Sequence, residues 1–372
     1  MKFAPLASVR HRVALGQRLP FNVYAADGSL LLARGLTVDS EEHLSALIDR
    51  GVRVNLDEVL DPVEIARRAP AELLPKLWQD VRDKMVAVMR KHEDGDLQTR
   101  LQRATVTLET LVRRDPDVAV FHLLSDHPND RRELGLRHAA HSAVIATLIA
   151  HRLNWSGDDI ERATKGALTM NMSMLELLGE LARKRAVADA VHRDEIRNHP
   201  IRSRQMLEAA GITDSVWLGA VEQHHEQSDG SGYPAGMREV SELASLLRCA
   251  DAFASGVDDL GSDERPTVNQ MIRKIYIDER ANVYATALVK ELGVYPPGCS
   301  VTLANGEIAL VVRRGATIKT PLVAAIANRF RRPFNTPVRR DTSRPGFRVV
   351  SALPACDFVP TRAQALMALQ AT

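Results

Sequence analysis

The sequence predicts a mainly α-helical protein, a helical bundle flanked by a small β-rich module at the N-terminus and another at the C-terminus. Apolar residues recur at helical spacing through residues 71–293, as in AELLPKLWQDVRDKMVAVMRKH and LQTRLQRATVTLETLVRR. Alternating apolar runs meet at an Asp-Gly turn, residues 27–28, and at an Asn-Gly turn, residues 305–306, which are hairpin signals. A chain of 372 residues is also long enough for a large buried core.

These patterns divide the chain into four segments. Residues 1–62 are expected to form a small α/β accessory module, and residues 63–104 a helical linker. Residues 105–293 form the main helical domain, and residues 294–372 a β-rich extension with a further strand in RPGFRVVSAL. Within the main domain, periodicity predicts helices over 137–153, 158–184, 192–210, 214–227, 240–257 and 267–292.

Composition excludes several classes of function. The net charge is only +2 and no block of five like charges occurs, so we expect neither a nucleic-acid partner nor a membrane-surface partner. No apolar run is long enough for a membrane span, and the N-terminus lacks the pattern of a secretory signal. The three cysteines are few and widely spaced, which is typical of reduced thiols in a cytoplasmic protein.

Histidine and aspartate side chains recur in the helical block in a way that suits a metal site. They are His138, His141, His199, His224, His225 and Asp251. His141 shares a helical face with Val144 and Leu148, and Asp251 lies in an apolar helix, where a buried carboxylate needs a partner. Imidazoles and carboxylates on converging helices hold metal ions in bundles. Each residue taken singly could instead be a hydrogen-bonded core residue or a solvated surface one.

The string HHEQSDGSGYP, residues 224–234, closely resembles the signature of HD-GYP domains. These are bacterial hydrolases of cyclic di-GMP, built on the all-helical HD metal-phosphohydrolase fold. The resemblance covers roughly residues 105–292 and implies an HD-type helical bundle. Its order of features also matches, with His141-Ser142, His199-Pro200 and Ala250-Asp251 in the expected sequence.

The resemblance also implies ligand-binding residues. The loop after the histidine pair corresponds to the family's surface for ligand access and for docking GGDEF-type partners, although a structural cap over the bundle end remains an alternative. Its implied residues are Asp229, Gly230, Gly232, Tyr233 and Pro234, together with the downstream Arg265 in DERPTV.

The chain departs from the family at the His-Asp pair itself. The family string is similar to LLHDIGK, whereas this chain has LTMNMSM, so the pair falls on Met170 and Asn171 and the lysine on Met174. In the family, the histidine and aspartate bind metal and the aspartate bridges two ions. A further acidic ligand falls on Arg137, and a second acid after Asp251 falls on Ala254. We therefore do not expect a dinuclear centre.

The surviving residues sort into two implied sites. One site would hold an ion with His199, His224 and His225. The other site would keep only two of its ligands, His141 and Asp251. Three imidazoles can hold a single Fe, Mn or Zn ion with coordination positions left for water. No residue is assigned a catalytic role.

Three hypotheses follow from these residues. The first is a degenerate HD-GYP signalling protein that binds cyclic di-GMP or a GGDEF-type partner with little or no hydrolysis. The second is an active metal-dependent cyclic di-GMP phosphodiesterase with an atypical site, for which His138 could be an alternative ligand. The third is a structural interaction protein with neither metal nor nucleotide. The sequence leaves open whether the chain forms a homodimer.

Overall fold

The computed structural model describes residues 3–55, 62–125, 133–184, 189–258, 266–354 and 360–370. It contains two compact units, Met1–Ala69 and Pro70–Thr372. The expected fold class is confirmed, because most of the elements are helices and the chain forms one small antiparallel sheet near each of its ends. Across the described residues, no helix is both long and apolar enough to span a lipid bilayer.

The first unit is a small α/β module. Its elements are β1 (Phe3–Pro5), β2 (Val23–Tyr24), β3 (Leu30–Leu32), α1 (Glu41–Asp49), β4 (Arg53–Asn55) and α2 (Pro62–Arg68). The strands pair antiparallel in the order β1-β4-β2-β3. The predicted hairpin joins β2 and β3, where the Asp27 carboxylate accepts the Ser29 N–H at 2.9 Å. Phe21, Leu44 and Val54 are buried in the core of this unit.

The helices of the second unit form the bundle. They are α3 (Leu74–Arg90), α4 (Leu97–Arg114), α5 (Pro116–Ser125), α6 (Leu134–Arg152), α7 (Gly157–Thr169), α8 (Leu175–Lys184), α9 (Ala190–Ala209), α10 (Ser215–Gln223), α11 (Glu242–Asp258), α12 (Val268–Asp278) and α13 (Val283–Leu292). Helix α6 is buried along nearly its whole length and packs against α7, α8 and α11. A Cβ added to Gly135 would lie 2.7 Å from the Cα of Leu175, so α6 and α8 approach at a glycine.

The predicted helix over 158–184 is interrupted. Helix α7 ends at Thr169, a 3-10 turn covers Met172–Met174, and α8 begins at Leu175. The turn is held by side chains, because the Ser173 hydroxyl donates to the carbonyl of His199 at 3.0 Å. Apolar periodicity runs through this break, so the sequence pattern alone does not reveal it.

The predicted helix over 267–292 is likewise divided into α12 and α13. Arg280 and Ala281 adopt positive φ angles of 52° and 53° at the corner between them. Asn282 then caps α13, since its side chain accepts the Ala285 N–H at 2.8 Å. The polar Asn282 therefore ends the intervening turn and begins a new helix.

The C-terminal sheet follows the bundle within the same unit. Its strands are β5 (Ser300–Leu303), β6 (Ile308–Arg313), β7 (Leu322–Ala327), β8 (Pro333–Asp341) and β9 (Val349–Ala352), in the order β8-β7-β6-β5-β9. The predicted hairpin at Asn305-Gly306 joins β5 and β6. An additional helix, α14 (Arg362–Gln370), packs on this sheet and was not predicted.

Candidate metal centre

Three of the five predicted metal ligands come together. His199 lies on α9, and His224 and His225 directly follow α10. Their candidate ligand atoms all lie within 4.8 Å of one another. The Nε2 atoms of His199 and His224 are 3.1 Å apart. We call His199, His224 and His225 the three-histidine cluster.

The orientation of the cluster is set by backbone carbonyls. Nδ1 of His199 lies 2.6 Å from the carbonyl oxygen of Ile196, and Nδ1 of His224 lies 2.6 Å from that of Val221. A carbonyl oxygen can only accept, so both Nδ1 atoms carry the proton. The Nε2 lone pairs of the two neutral rings therefore point toward each other. This is the arrangement in which histidines bind a metal ion.

The helix geometry explains why these carbonyls are available. Pro200 lies inside α9 and has no N–H, so the Ile196 carbonyl four residues earlier lacks its helical donor. Val221 lies in the last turn of α10, where helix carbonyls have no partner within the helix. Each histidine donates to the carbonyl three residues before it. The His199-Pro200 pair thus supplies both the ligand and the carbonyl that orients it.

Burial keeps the three imidazoles neutral. Burial, reinforced by the nearby His225, lowers the pKa of His199 to about 4. Burial together with the other two imidazoles lowers the pKa of His224 well below its ordinary value, and burial also lowers the pKa of His225. Near neutral pH all three are therefore unprotonated at the ligand nitrogen. A metal ion binds this form without first displacing a proton.

The glycine-rich loop packs directly on the cluster. The Tyr233 ring stacks on His225 with ring centroids 4.5 Å apart and an angle of 19° between the planes. The Tyr233 N–H donates to the His225 carbonyl at 3.2 Å. A Cβ added to Gly232 would lie 2.5 Å from the Cα of Glu226, so only glycine fits there. The Tyr233–Pro234 bond is cis. The loop therefore orders one of the candidate ligands.

Glu226 anchors this loop, a role that the sequence analysis missed. Its side chain is buried and accepts the N–H groups of Ala235 at 2.7 Å, Gly236 at 3.1 Å and Met237 at 2.9 Å. A buried carboxylate is stable when backbone donors satisfy it in this way. The available signal was its position, an acid immediately after the His pair and before a glycine-rich turn.

Asp229 holds the outer part of the same loop. Its Oδ1 accepts the Ser231 N–H at 2.9 Å and the Ser231 hydroxyl at 2.6 Å, and Oδ2 pairs with Arg280 at 2.7 Å. Hydrogen bonds from Ser231, and then Arg280, lower the pKa of Asp229 to about 2. Gly230 has a φ of +80°, which the turn requires. Arg265, the remaining predicted ligand-binding residue, lies outside the described residues.

Asp251 contacts a different set of residues. Its Oδ1 lies 3.0 Å from Nε2 of His138 and accepts the Asn171 side-chain amide at 2.7 Å. Burial would raise the pKa of Asp251, but the His138 hydrogen bond and the surrounding imidazoles hold it well below its usual range. The Asn171 side-chain oxygen is buried and has no hydrogen-bond partner among the described residues. Met170 beside it is fully buried.

His141 contacts Asp258 on α11, a residue that the sequence analysis did not single out. Nδ1 of His141 lies 3.1 Å from Oδ1 of Asp258, and Arg137 Nε donates to the same oxygen at 2.7 Å. Asp258 lies seven residues after Asp251, so both carboxylates share one face of α11. That spacing was the signal in the sequence.

The residues present fit one metal ion better than two. In the three-histidine cluster the neutral ring nitrogens converge, and backbone carbonyls orient two of the three rings. Among the described residues, His141 and Asp251 are not part of this cluster, and each contacts the residues described above instead.

Comparisons with known proteins show what this chain is similar to. A family model described as HD domain matches residues 122–283. A cyclic di-GMP phosphodiesterase of Pseudomonas aeruginosa is 27% identical over 136 residues, which span 34% of this chain and 32% of that protein. The solved structure of the HDG"Y"P protein Bd1817 from Bdellovibrio bacteriovorus has a TM-score of 0.48 and 18% identity, covering 78% of this chain and 98% of that one. Residues 122–283 therefore match an HD domain, and the HHEQSDGSGYP string within them resembles the HD-GYP signature.

Proposed function

We propose that this chain is a degenerate HD-GYP signalling protein, which binds cyclic di-GMP at a single metal ion and hydrolyses it little or not at all. The observation that carries the proposal is the convergence of the three-histidine cluster in a chain that has Asn171 where the resemblance expects an aspartate. The HD domain match and the phosphodiesterase among the relatives support the choice of ligand.

The donor set favours Fe, Mn or Zn. Three neutral imidazoles suit these ions and leave coordination positions open for a phosphate oxygen or water. The ion, when bound, supplies a Lewis acid for a phosphate oxygen. Around it, the chain supplies orientation: the carbonyls of Ile196 and Val221 align two rings, and Tyr233 stacks on the third.

Weak hydrolysis is expected from the residues that stand where the family has an aspartate and a lysine. Asn171 is neutral and already donates to Asp251, so it provides at most one amide oxygen where a bridging carboxylate would lie. Met174 is buried and apolar, so it cannot neutralise a substrate phosphate as a lysine would. Each lost electrostatic stabiliser costs on the order of 100- to 1,000-fold in rate. Loss of several together leaves a site that is better suited to binding than to turnover.

The test combines metal analysis with nucleotide assays on the full chain purified without oxygen. We expect one metal ion per chain, cyclic di-GMP binding by calorimetry, and little linear product by chromatography. His199→Ala should lose both metal and nucleotide. His192→Ala, which changes a partly exposed histidine on the same helix, should keep both. Turnover at the rate of an active phosphodiesterase would reject the proposal.

An active phosphodiesterase with an atypical site is the second candidate. Two observations favour it: the side-chain oxygen of Asn171, which has no hydrogen-bond partner within the described part of the chain, and the activity in the name of the 27% identical relative. His138 is poorly placed as a substitute ligand because both of its nitrogens face carboxylates. For this candidate, Asn171→Ala should abolish turnover, whereas the first proposal expects no turnover to lose.

A further inference from the structure

Four buried charged side chains connect α6 to α11. Arg137 donates to Asp258 at 2.7 Å, and His138 lies between the two carboxylates, with Nε2 3.0 Å from Asp251 and Nδ1 3.4 Å from Asp258. All four residues are at most 9% exposed. We call Arg137, His138, Asp251 and Asp258 the α6–α11 charge network.

The geometry fixes the charge of this network. A neutral imidazole would turn a bare nitrogen toward one of the two carboxylates, which is repulsive, so His138 carries both ring protons. The guanidinium of Arg137 is always charged. Two cations therefore face two anions, and the network is neutral as a whole. Buried ions are tolerated when they are paired in this way.

We infer that Arg137 and His138 act as built-in counter-ions of Asp251 and Asp258, and so exclude a second metal ion from these two carboxylates of α11. A divalent ion placed against these carboxylates would lie next to two buried cations, with little water to screen the repulsion. Oδ1 of Asp258 already lies within hydrogen-bond distance of Arg137 and His141. Oδ1 of Asp251 likewise lies within hydrogen-bond distance of His138 and Asn171.

A consequence is that the Met170-Asn171 replacement alone does not decide the metal count. Restoring histidine and aspartate at those positions would add two ligands but leave both cations in place. The inference concerns the pocket of the proposed function, but it requires neither nucleotide binding nor an ion in the three-histidine cluster. It therefore predicts a difference between variants rather than an absolute metal content.

The experiment measures bound Mn²⁺ by elemental analysis after saturation and desalting of the full chain. Met170→His/Asn171→Asp should bind the same number of ions as the unmodified chain. Adding Arg137→Glu to that pair should bind one more. Adding Arg193→Glu instead makes the same charge change at an exposed position of α9 and should not. A gain of one ion in the two-residue variant, or no gain after Arg137→Glu in folded protein, would overturn the inference.

A metal-free measurement keeps the inference testable if the charge-reversed variant does not fold. Arg137→Gln and Asp258→Asn should each lower Tm by roughly 5–10 °C, because each leaves a buried charge without its partner. The double variant should lose clearly less than the sum, since the two residues form one pair. Additive losses would show that the residues are not coupled and would count against the network. Cyclic di-GMP binding, measured separately on the unmodified chain, tests only the proposed function.

Discussion

Glu226→Gln should loosen the loop that covers the three-histidine cluster while leaving all three histidines in place. The carboxylate of Glu226 accepts three backbone N–H groups, at 2.7, 2.9 and 3.1 Å. Glutamine has nearly the same shape, but it is neutral and replaces one oxygen with a donor that faces an N–H group. Hydrogen bonds to a charged group contribute about 1.5–3 kcal/mol each, so a loss of about 2–4 kcal/mol in loop stability is expected.

The effect should reach the metal through Tyr233. Its ring stacks on His225, and its N–H donates to the His225 carbonyl, so a mobile loop leaves His225 less well oriented. Loss of a group that orients a metal ligand typically weakens metal binding by about 10- to 100-fold. We therefore expect a metal Kd raised within that range, with one ion still bound at saturation.

Two measurements check this chain of effects. Hydrogen exchange should show faster exchange at the amides of Ala235, Gly236 and Met237, and competition with a coloured chelator should show the weaker metal binding. Glu222→Gln, which changes a partly buried glutamate on α10, should alter neither. Unchanged exchange at residues 235–237 would refute the role of Glu226 as the anchor.

Three further results are expected. Gly232→Ala should lower the free energy of unfolding by about 1–3 kcal/mol through overpacking, and so lower Tm. Gly219→Ala, where an added Cβ meets nothing within 4 Å, should leave Tm unchanged. Pro200→Ala should raise the free energy of unfolding, because it restores a backbone donor inside the helix. It should also weaken metal binding, because that donor competes with His199 for the Ile196 carbonyl. Tighter binding in a chelator titration would contradict this expectation. Tm of the metal-free chain should peak near pH 6.5. Because the pKa of His199 is lowered to about 4, the folded chain loses stability as pH falls from 6.5 toward 4. Because the pKa of His138 is raised to about 10, the folded chain loses stability as pH rises from 6.5 through 10. His138→Gln should abolish only the alkaline decline in a series of melting curves, and a decline that persists would contradict the assignment.

The sequence predicts well those features that depend on local pattern. Hairpins at Asp27-Gly28 and Asn305-Gly306 follow from turn chemistry, and the mainly helical body follows from apolar periodicity. The three-histidine cluster could be predicted because its members lie in two distinctive strings, IRNHPIRSRQML and HHEQSDGSGYP.

Features that depend on packing between helices could not be predicted in the same way. Asp258 becomes significant only when α11 lies against α6, where it meets Arg137 and His141. The break at Met172–Met174 is fixed by Ser173 bonding to a helix 26 residues away, which local periodicity does not encode. Glu226 likewise depends on the path of a loop that returns to it.

The hydrogen bonds from His199 and His224 to the carbonyls three residues earlier have a consequence for how this pocket can change over time. Both ring orientations are held by main-chain atoms, which every residue type supplies. Substitutions elsewhere around the pocket can therefore accumulate without turning these two imidazoles away, provided that the last turn of α10 and the proline of α9 persist. The facing ring nitrogens of His199 and His224 are thus held in place independently of the side chains around them.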